Sequence, residues 1–310
     1  MKKIELVVEN LEDLLRIDKY IPSVYDEVSR SELSYYFDEQ KILVNGKIVK
    51  PSYKVTNGDV IVVNEREGLV SDIVPENIPL DIVYEDDDII VVNKPSGMVV
   101  HPAPGHYTGT LVNALMYHCK NLSDLGGDIR AGIVHRIDKD TSGLLVCCKN
   151  NKAHRNLSEQ FKNKETTNRT YLAIVSGVIS HNRGKINAPV GRDPKNRQKM
   201  AVVADGKQAV THFKVLERYL NNTYIECKLE TGRTHQIRVH MAYINYPVIN
   251  DPLYGIKKQT TEFGQYLHAA TLGFIHPTTG KYMEFTSPLP QEFTDKLNEL
   301  KQEYDSKVNK

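Results

Sequence analysis

Apolar residues along the chain switch between helical spacing and short unbroken runs, and the switches mark its elements. Leu14, Leu15 and Ile17 ahead of Pro22 predict a first helix, and Ser29-Arg30-Ser31 caps a second running to Phe37. Asn45-Gly46 between Ile42-Leu43-Val44 and Ile48-Val49 predicts a tight hairpin, and Asn57-Gly58-Asp59 a second turn before the strand Val60 to Val63. These elements form a compact α+β module over residues 12–72, followed by a linker at 73–80 marked by Pro75 and Pro79. Beyond it, Ile82-Val83-Tyr84 and Ile89 to Val92 flank an acidic turn, and the second run has no polar alternation, the pattern of a strand covered on both faces. Helical spacing recurs at Leu111 to His118, Ala153 to Phe161 and Thr234 to Ile244. Strand patterns fill the intervals without a regular βαβ repeat. The expected architecture over residues 81–303 is α+β with a mixed, mainly antiparallel sheet. It closes with a helix from Phe293 to Leu300 and a frayed tail at 304–310.

Length and composition fit this plan. The 310 residues exceed one typical domain, and 40% hydrophobic with 25% charged residues describes an ordinary globular chain. No run approaches the ~18 uncharged apolar residues of a membrane span, and Glu5 and Glu9 interrupt any secretory signal, so a cytoplasmic location and no membrane partner are expected. Cys119, Cys147, Cys148 and Cys227 match no metal or redox spacing and are expected to be reduced core residues. The overall charge of +1 conceals an imbalance, net −3 over residues 1–70 and net +8 over 151–210. A basic block of that size fits a polyanionic partner as well as it fits a solvated lysine-rich face.

The densest polar cluster is His135-Arg136-Ile137-Asp138-Lys139-Asp140-Thr141-Ser142-Gly143, set between apolar strands. An Asp-rich turn held by its own side chains is the plain reading of Asp140 to Gly143. The density of charge argues for more, because His135 or Arg136 and Lys139 bracket Asp138 and would hold it as an anion able to act as nucleophile or base. A second cluster, Thr231 to His240, places Arg233 and Arg238 near a helix start at Thr234. Its histidines, His235 and His240, do not have zinc spacing, so the arginines are read as partners of carboxylates or phosphates. Tyr171 opens a strand in Arg169-Thr170-Tyr171 and by itself reads as a packing aromatic. Gly184-Lys185 lacks the spacing of a nucleoside-triphosphate loop.

Taken in order, His135-Arg136-Ile137-Asp138, Arg169-Thr170-Tyr171 and Gly232-Arg233-Thr234-His235-Gln236-Ile237-Arg238 resemble the RluA/RluD family of pseudouridine synthases. Asn93-Lys94-Pro95-Ser96-Gly97 and Leu267-His268-Ala269 extend the likeness across Ile82 to Pro290, and residues 12–70 resemble an S4 RNA-binding module. The resemblance, nearest to the large-subunit ribosomal RNA synthase D type, implies isomerisation of uridine to pseudouridine in structured RNA, with no cofactor and no metal. It implies Asp138 as the catalytic aspartate, attacking either the uracil ring or the anomeric carbon, Arg238 as its ion-pair partner and Tyr171 as the active-site tyrosine. Arg136 would fill the space left by a flipped nucleotide. Arg192, Lys195, Arg197, Lys199 and Arg233 would contact RNA from a mobile basic loop and its surroundings, and Lys19, Arg30 and Lys47 would form the binding face of the acidic N-terminal module. Arg169 departs from the lysine common in the family. A noncatalytic RNA-binding assembly factor on the same scaffold is the competing reading, a metal-dependent hydrolase using Asp138 and Asp140 a more distant one, and a monomer is expected.

Overall fold

A computed structural model describes residues 3–11, 13–25, 33, 36–37, 39–64, 73–103, 106–125, 127, 130–163, 166–196, 199–256 and 261–308. The chain divides into two units, 1–72 and 73–310. In the first, β1 (Lys3–Val7), β6 (Val60–Asn64), β3 (Ile42–Val44) and β4 (Lys47–Ile48) form an antiparallel sheet in that order. Beside it β2 (Leu15–Arg16) pairs with β5 (Lys54–Val55), and α1 covers Ile17–Val24. The predicted hairpin is present. Asn45 and Gly46 take φ of 51° and 77°, the two left-handed positions such a turn requires, and Asn45 donates to the buried Asp59 (2.8 Å). Ile17, Ile21, Ile42 and Ile61 form the core together with Leu33, Tyr36 and Phe37. Most of the expected second helix, Arg30 included, lies outside the described residues.

The second unit is built on one long sheet ordered β11 (Arg183–Asn187), β14 (Val210–Arg218), β15 (Asn222–Leu229), β10 (Asn168–Ser176), β16 (Leu267–Ile275), β9 (Ser142–Cys148), β8 (Ile89–Lys94) and β7 (Ile82–Glu85), with β17 (Tyr282–Thr286) also paired to β16. The unbroken apolar run of β8 is explained by cover on both sides. Ile89 and Val91 meet α3 (Asn151–Asn163) through Ala153 and Leu157, while Ile90 and Val92 meet α2 (Leu111–His118) through Leu111 and Leu115. α4 (Gln236–Tyr243) packs Ile237 and Met241 against β10 and β15.

Among the described strands, β9 and β16 alone pair in parallel, through Ser142 with His268 and Gly143 with Ala269. Gly143 has φ 111°, and a Cβ there would collide with the Ala269 backbone, so only glycine permits this close join. The join brings the loop before β9 beside β10 and β16.

Three expectations need correction. The residues assigned to a linker are fastened to the larger unit: Ile73 is buried with Val112 and Ala131, and Asn113 exchanges bonds with Val74 and Glu76. The terminal helix α5 spans Gln291–Val308, through the segment expected to fray; Phe293 and Leu300 anchor it, and Lys307 suits the negative end of its dipole. The basic stretch expected as a mobile loop forms an antiparallel hairpin, β12 (Val190–Arg192) with β13 (Met200–Val202). Val190, Met200 and Val202 pack beside Val239 of α4 and Tyr254. The four cysteines are buried and unpaired.

Candidate active site

Asp138 lies in the loop entering β9, where its carbonyl accepts from Thr141 N (3.1 Å) and its carboxylate keeps 17% of its surface exposed. Arg238, on the first turns of α4 and 4% exposed, donates from Nη1 to Asp138 Oδ2 (2.8 Å). Its other edge forks onto the buried Asp251, Nε to Oδ2 (2.7 Å) and Nη2 to Oδ1 (2.8 Å). Burial opposes the guanidinium charge, but the bonds to Asp251 and the charge of Asp138 outweigh it and raise the Arg238 pKa. The bidentate clasp on Asp251 fixes the guanidinium plane and so aims the third donor at Asp138.

These groups line a cleft of about 350 Å³, open mouth included, shared by Arg136, Asp138, Tyr171, Arg233, His235 and Arg238, with Leu229, Ile237 and Leu267 as apolar walls. Tyr171 reaches it from β10 at a β-bulge, where its ladder with β16 skips from Thr271 to Ala269. Bulges of this kind re-aim a side chain. Its ring also packs between two neighbouring core clusters on one face of the sheet, so it serves as core residue and cleft wall together. Burial raises the Tyr171 hydroxyl above its usual range, Arg169 opposing and Asp138 reinforcing.

Lys94 supplies a support the sequence did not assign. It is 2% exposed and its ammonium donates to the carbonyls of Pro95 (2.7 Å), Met98 (2.8 Å) and Lys139 (2.9 Å), tying the Asn93 to Gly97 turn to the Asp138 loop. Burial pushes its pKa down to about 7 against the charges of Asp140 and Asp138. Three carbonyl acceptors require three N–H donors, the number only the charged form carries.

His135 is no cation beside Asp138. Its Nε2 accepts from Val146 N (3.0 Å), its ring stacks on Phe161 at 4.3 Å, and burial with the nearby Arg169 pushes it down to about 3. Lys139 points to solvent while its carbonyl holds Lys94. Arg136 is exposed and donates to His101 Nε2 (3.1 Å); His101 is pushed down to about 4 by burial and by Arg136 and Arg130, which leaves that nitrogen an acceptor. The helix predicted from Thr234 starts two residues later, because His235 takes the left-handed conformation (φ 55°) and Gln236 turns inward. Gln236 accepts from Thr231 and Arg233 and donates to Val210 and Thr211.

Arg233 lines the cleft and donates to the Gln208 carbonyl (3.0 Å). Arg192 and Lys195 are exposed on the β12–β13 hairpin, Lys199 sits at its second strand with Nζ 5.9 Å from the Tyr254 ring, and Arg197 lies outside the described residues. Lys19 and Lys47 are exposed on the first unit. Asp86, Asp88 and His276 could bring three ligand atoms together, but they cap a turn instead. His276 Nδ1 accepts from Thr278 and Thr279 N, which leaves an Nε2 proton, not a lone pair, facing Asp86 (2.8 Å).

The family model described as RNA pseudouridylate synthase matches residues 88–243, and the S4 domain model matches residues 15–61. The chain belongs to the RNA pseudouridylate synthase family. It is 52% identical over 301 residues to the uncharacterized RNA pseudouridine synthase YlyB of Bacillus subtilis, covering 97% of this chain and 99% of that one. It is 47% identical to the ribosomal large subunit pseudouridine synthase D of Neisseria meningitidis serogroup B, covering 93% and 79%. The solved structure of human RNA pseudouridylate synthase domain containing 1 superposes with a TM-score of 0.57 at 28% identity over 69% of this chain and 85% of that one. The protein is therefore an RNA pseudouridine synthase with an N-terminal S4 domain. Among the described residues no helix is long and apolar enough to cross a membrane. In this synthase the motif residues Asp138, Tyr171 and Arg238 meet at one cleft, whereas Lys94, Asp251, His235 and Tyr254 complete the site without having been assigned roles from the sequence. The turn carrying Lys94 and the motif carrying His235 were in plain view; only their burial and partners were not.

Proposed function

We propose that this synthase converts specific uridines of large-subunit ribosomal RNA to pseudouridine, with Asp138 as its catalytic residue. The observation carrying this reading is the Asp138 carboxylate held at 2.8 Å by a buried arginine on the wall of an open cleft. The isomerisation breaks the bond from ribose to uracil nitrogen and joins ribose to ring carbon five, which gives up its proton while the freed nitrogen takes one up, so it needs a fixed anion, a wall for the base and exclusion of bulk water. Arg238 cannot take up a proton and acts by holding Asp138 in place. The Tyr171 ring and the walls Leu229, Ile237 and Leu267 receive the flipped base. Arg136, at the rim, fills the gap left in the RNA, and Arg192, Lys195, Arg197, Lys199 and Arg233 hold phosphates on either side. Lys19, Arg30 and Lys47 give the S4 domain a second hold on the same RNA. The 47% identity to a relative named ribosomal large subunit pseudouridine synthase D supports the choice of RNA.

Asp138→Asn tests the assignment. Incubated with a large-subunit ribosomal RNA transcript, the variant is expected to bind and form no pseudouridine, and conversion at the wild-type rate overturns the role of Asp138. Wild-type protein that binds but never converts would favour the assembly-factor reading, and conversion confined to transfer RNA would refute the ribosomal target.

A further inference from the structure

His235 occupies a costly backbone position. Its φ of 55° and ψ of 20° are left-handed, and although it stands at the N-cap of α4 its side chain caps nothing. The ring is instead turned into the cleft between two polar partners. Nδ1 lies 2.9 Å from the Tyr254 hydroxyl and Nε2 lies 3.8 Å from Asp138 Oδ1. Tyr254 in turn accepts from the backbone N–H of Met200 (2.8 Å) on β13, with Arg238 5.1 Å and Lys199 5.9 Å from its ring.

Proton counting settles the direction of this chain. The Tyr254 oxygen receives a proton from Met200, and burial raises its own pKa, so the hydroxyl keeps a proton to give. His235 Nδ1 is the acceptor at hand, and the imidazole, pushed down by burial against the pull of Asp138, is neutral. With Nδ1 accepting, the single ring proton sits on Nε2 and faces the carboxylate. The opposite tautomer would set a lone pair against an anion and leave the Tyr254 proton without an acceptor.

We propose that His235 is a positioning residue whose Nε2–H is aimed at Asp138 Oδ1 by a relay from Met200 N–H through the Tyr254 hydroxyl, so that seating the basic β12–β13 hairpin on an RNA backbone is transmitted to the carboxylate. The hairpin meets RNA phosphate at Lys199, one residue from Met200. A shift of about 1 Å in Tyr254 and His235 brings the 3.8 Å gap to hydrogen-bond length and fixes the second oxygen of Asp138 as Arg238 fixes the first. The inference rests on the assignment of Asp138 made above for its effect on rate, and on geometry alone for the tautomer.

The experiment uses the full chain labelled with ¹⁵N-histidine. His235 should show a pyridine-like Nδ1 and a protonated, pyrrole-like Nε2, and added RNA should shift the Nε2–H resonance in wild type and not in Tyr254→Phe. A protonated Nδ1, or no response to RNA, overturns the relay. In single-turnover kinetics His235→Phe should lose roughly 10- to 100-fold in rate with RNA affinity retained, as loss of a hydrogen bond to a charged group implies. His235→Gln, which restores an N–H donor near the Nε2 position, should recover most of it. Equal losses in the two variants overturn the positioning role. Should Asp138→Asn prove as active as wild type, the catalytic assignment fails and the tautomer measurement alone decides the relay.

Discussion

Replacing Arg238 by methionine keeps the length of the side chain and deletes the charge that two carboxylates share. Three charge-assisted bonds of 2.7–2.8 Å disappear, and Asp251, whose side chain is 0% exposed, keeps among the described residues the backbone N–H groups of Leu253 (2.8 Å) and Tyr254 (3.0 Å). Removing one partner of a buried ion pair costs about 3–5 kcal/mol, so the urea midpoint of the larger unit should fall accordingly. The double variant Arg238→Met/Asp251→Asn removes the stranded charge and retains an oxygen for both N–H groups, and should regain roughly 1–3 kcal/mol. Activity should not follow stability. Asp138 loses its aimed donor in both variants, so single-turnover pseudouridine formation should fall by about 10²-fold or more in each. A single variant within about 1 kcal/mol of wild type, or a double variant that recovers rate together with stability, would refute the reasoning.

Acid should weaken the fold through buried neutral histidines. His268 is 0% exposed, accepts from Ser142 Oγ (2.8 Å) and is pushed down to about 4 by burial, against an ordinary 6.5. Its contribution is fully present above pH 6.5 and is lost as pH falls from 6.5 towards 4, roughly 3 kcal/mol in all. His268→Asn should flatten urea midpoints plotted over that interval, and an unchanged slope would count against the burial argument. On the hairpin, Arg192→Ala with Lys195→Ala should reduce the dependence of log binding constant on log salt by roughly 0.7–0.9 per charge removed; filter binding across a salt series checks it, and an unaltered slope would remove these residues from the RNA contact.

Local signals carried the secondary structure well where geometry is local. The helix Leu111–His118 was legible from its apolar spacing, its Thr110 cap emerging only in the fold, and the Asn45-Gly46 turn because few other pairs adopt its backbone. Within the site, Asp138, Tyr171 and Arg238 were legible as motif residues, and they converge. Lys94 was not, since a lysine in a turn reads as a solvated cation and its burial comes from a carbonyl 45 residues away at Lys139. His135 failed for the complementary reason: a histidine beside an arginine reads as a cation, whereas a backbone donor from β9 and the Phe161 ring make it neutral. Asp251 is 13 residues from Arg238 in a loop without any chemical signature, and only the folded chain brings it under the guanidinium.

The narrow glycine join between β9 and β16 has a consequence for how the protein is made. The arginine that holds the Asp138 carboxylate arrives late in synthesis: Arg238 follows it by 100 residues, and the strand that joins its loop follows Arg238. At the usual pace of translation, roughly 5–20 residues per second, a nascent chain carries the bare aspartate for about 5–20 seconds before its arginine exists.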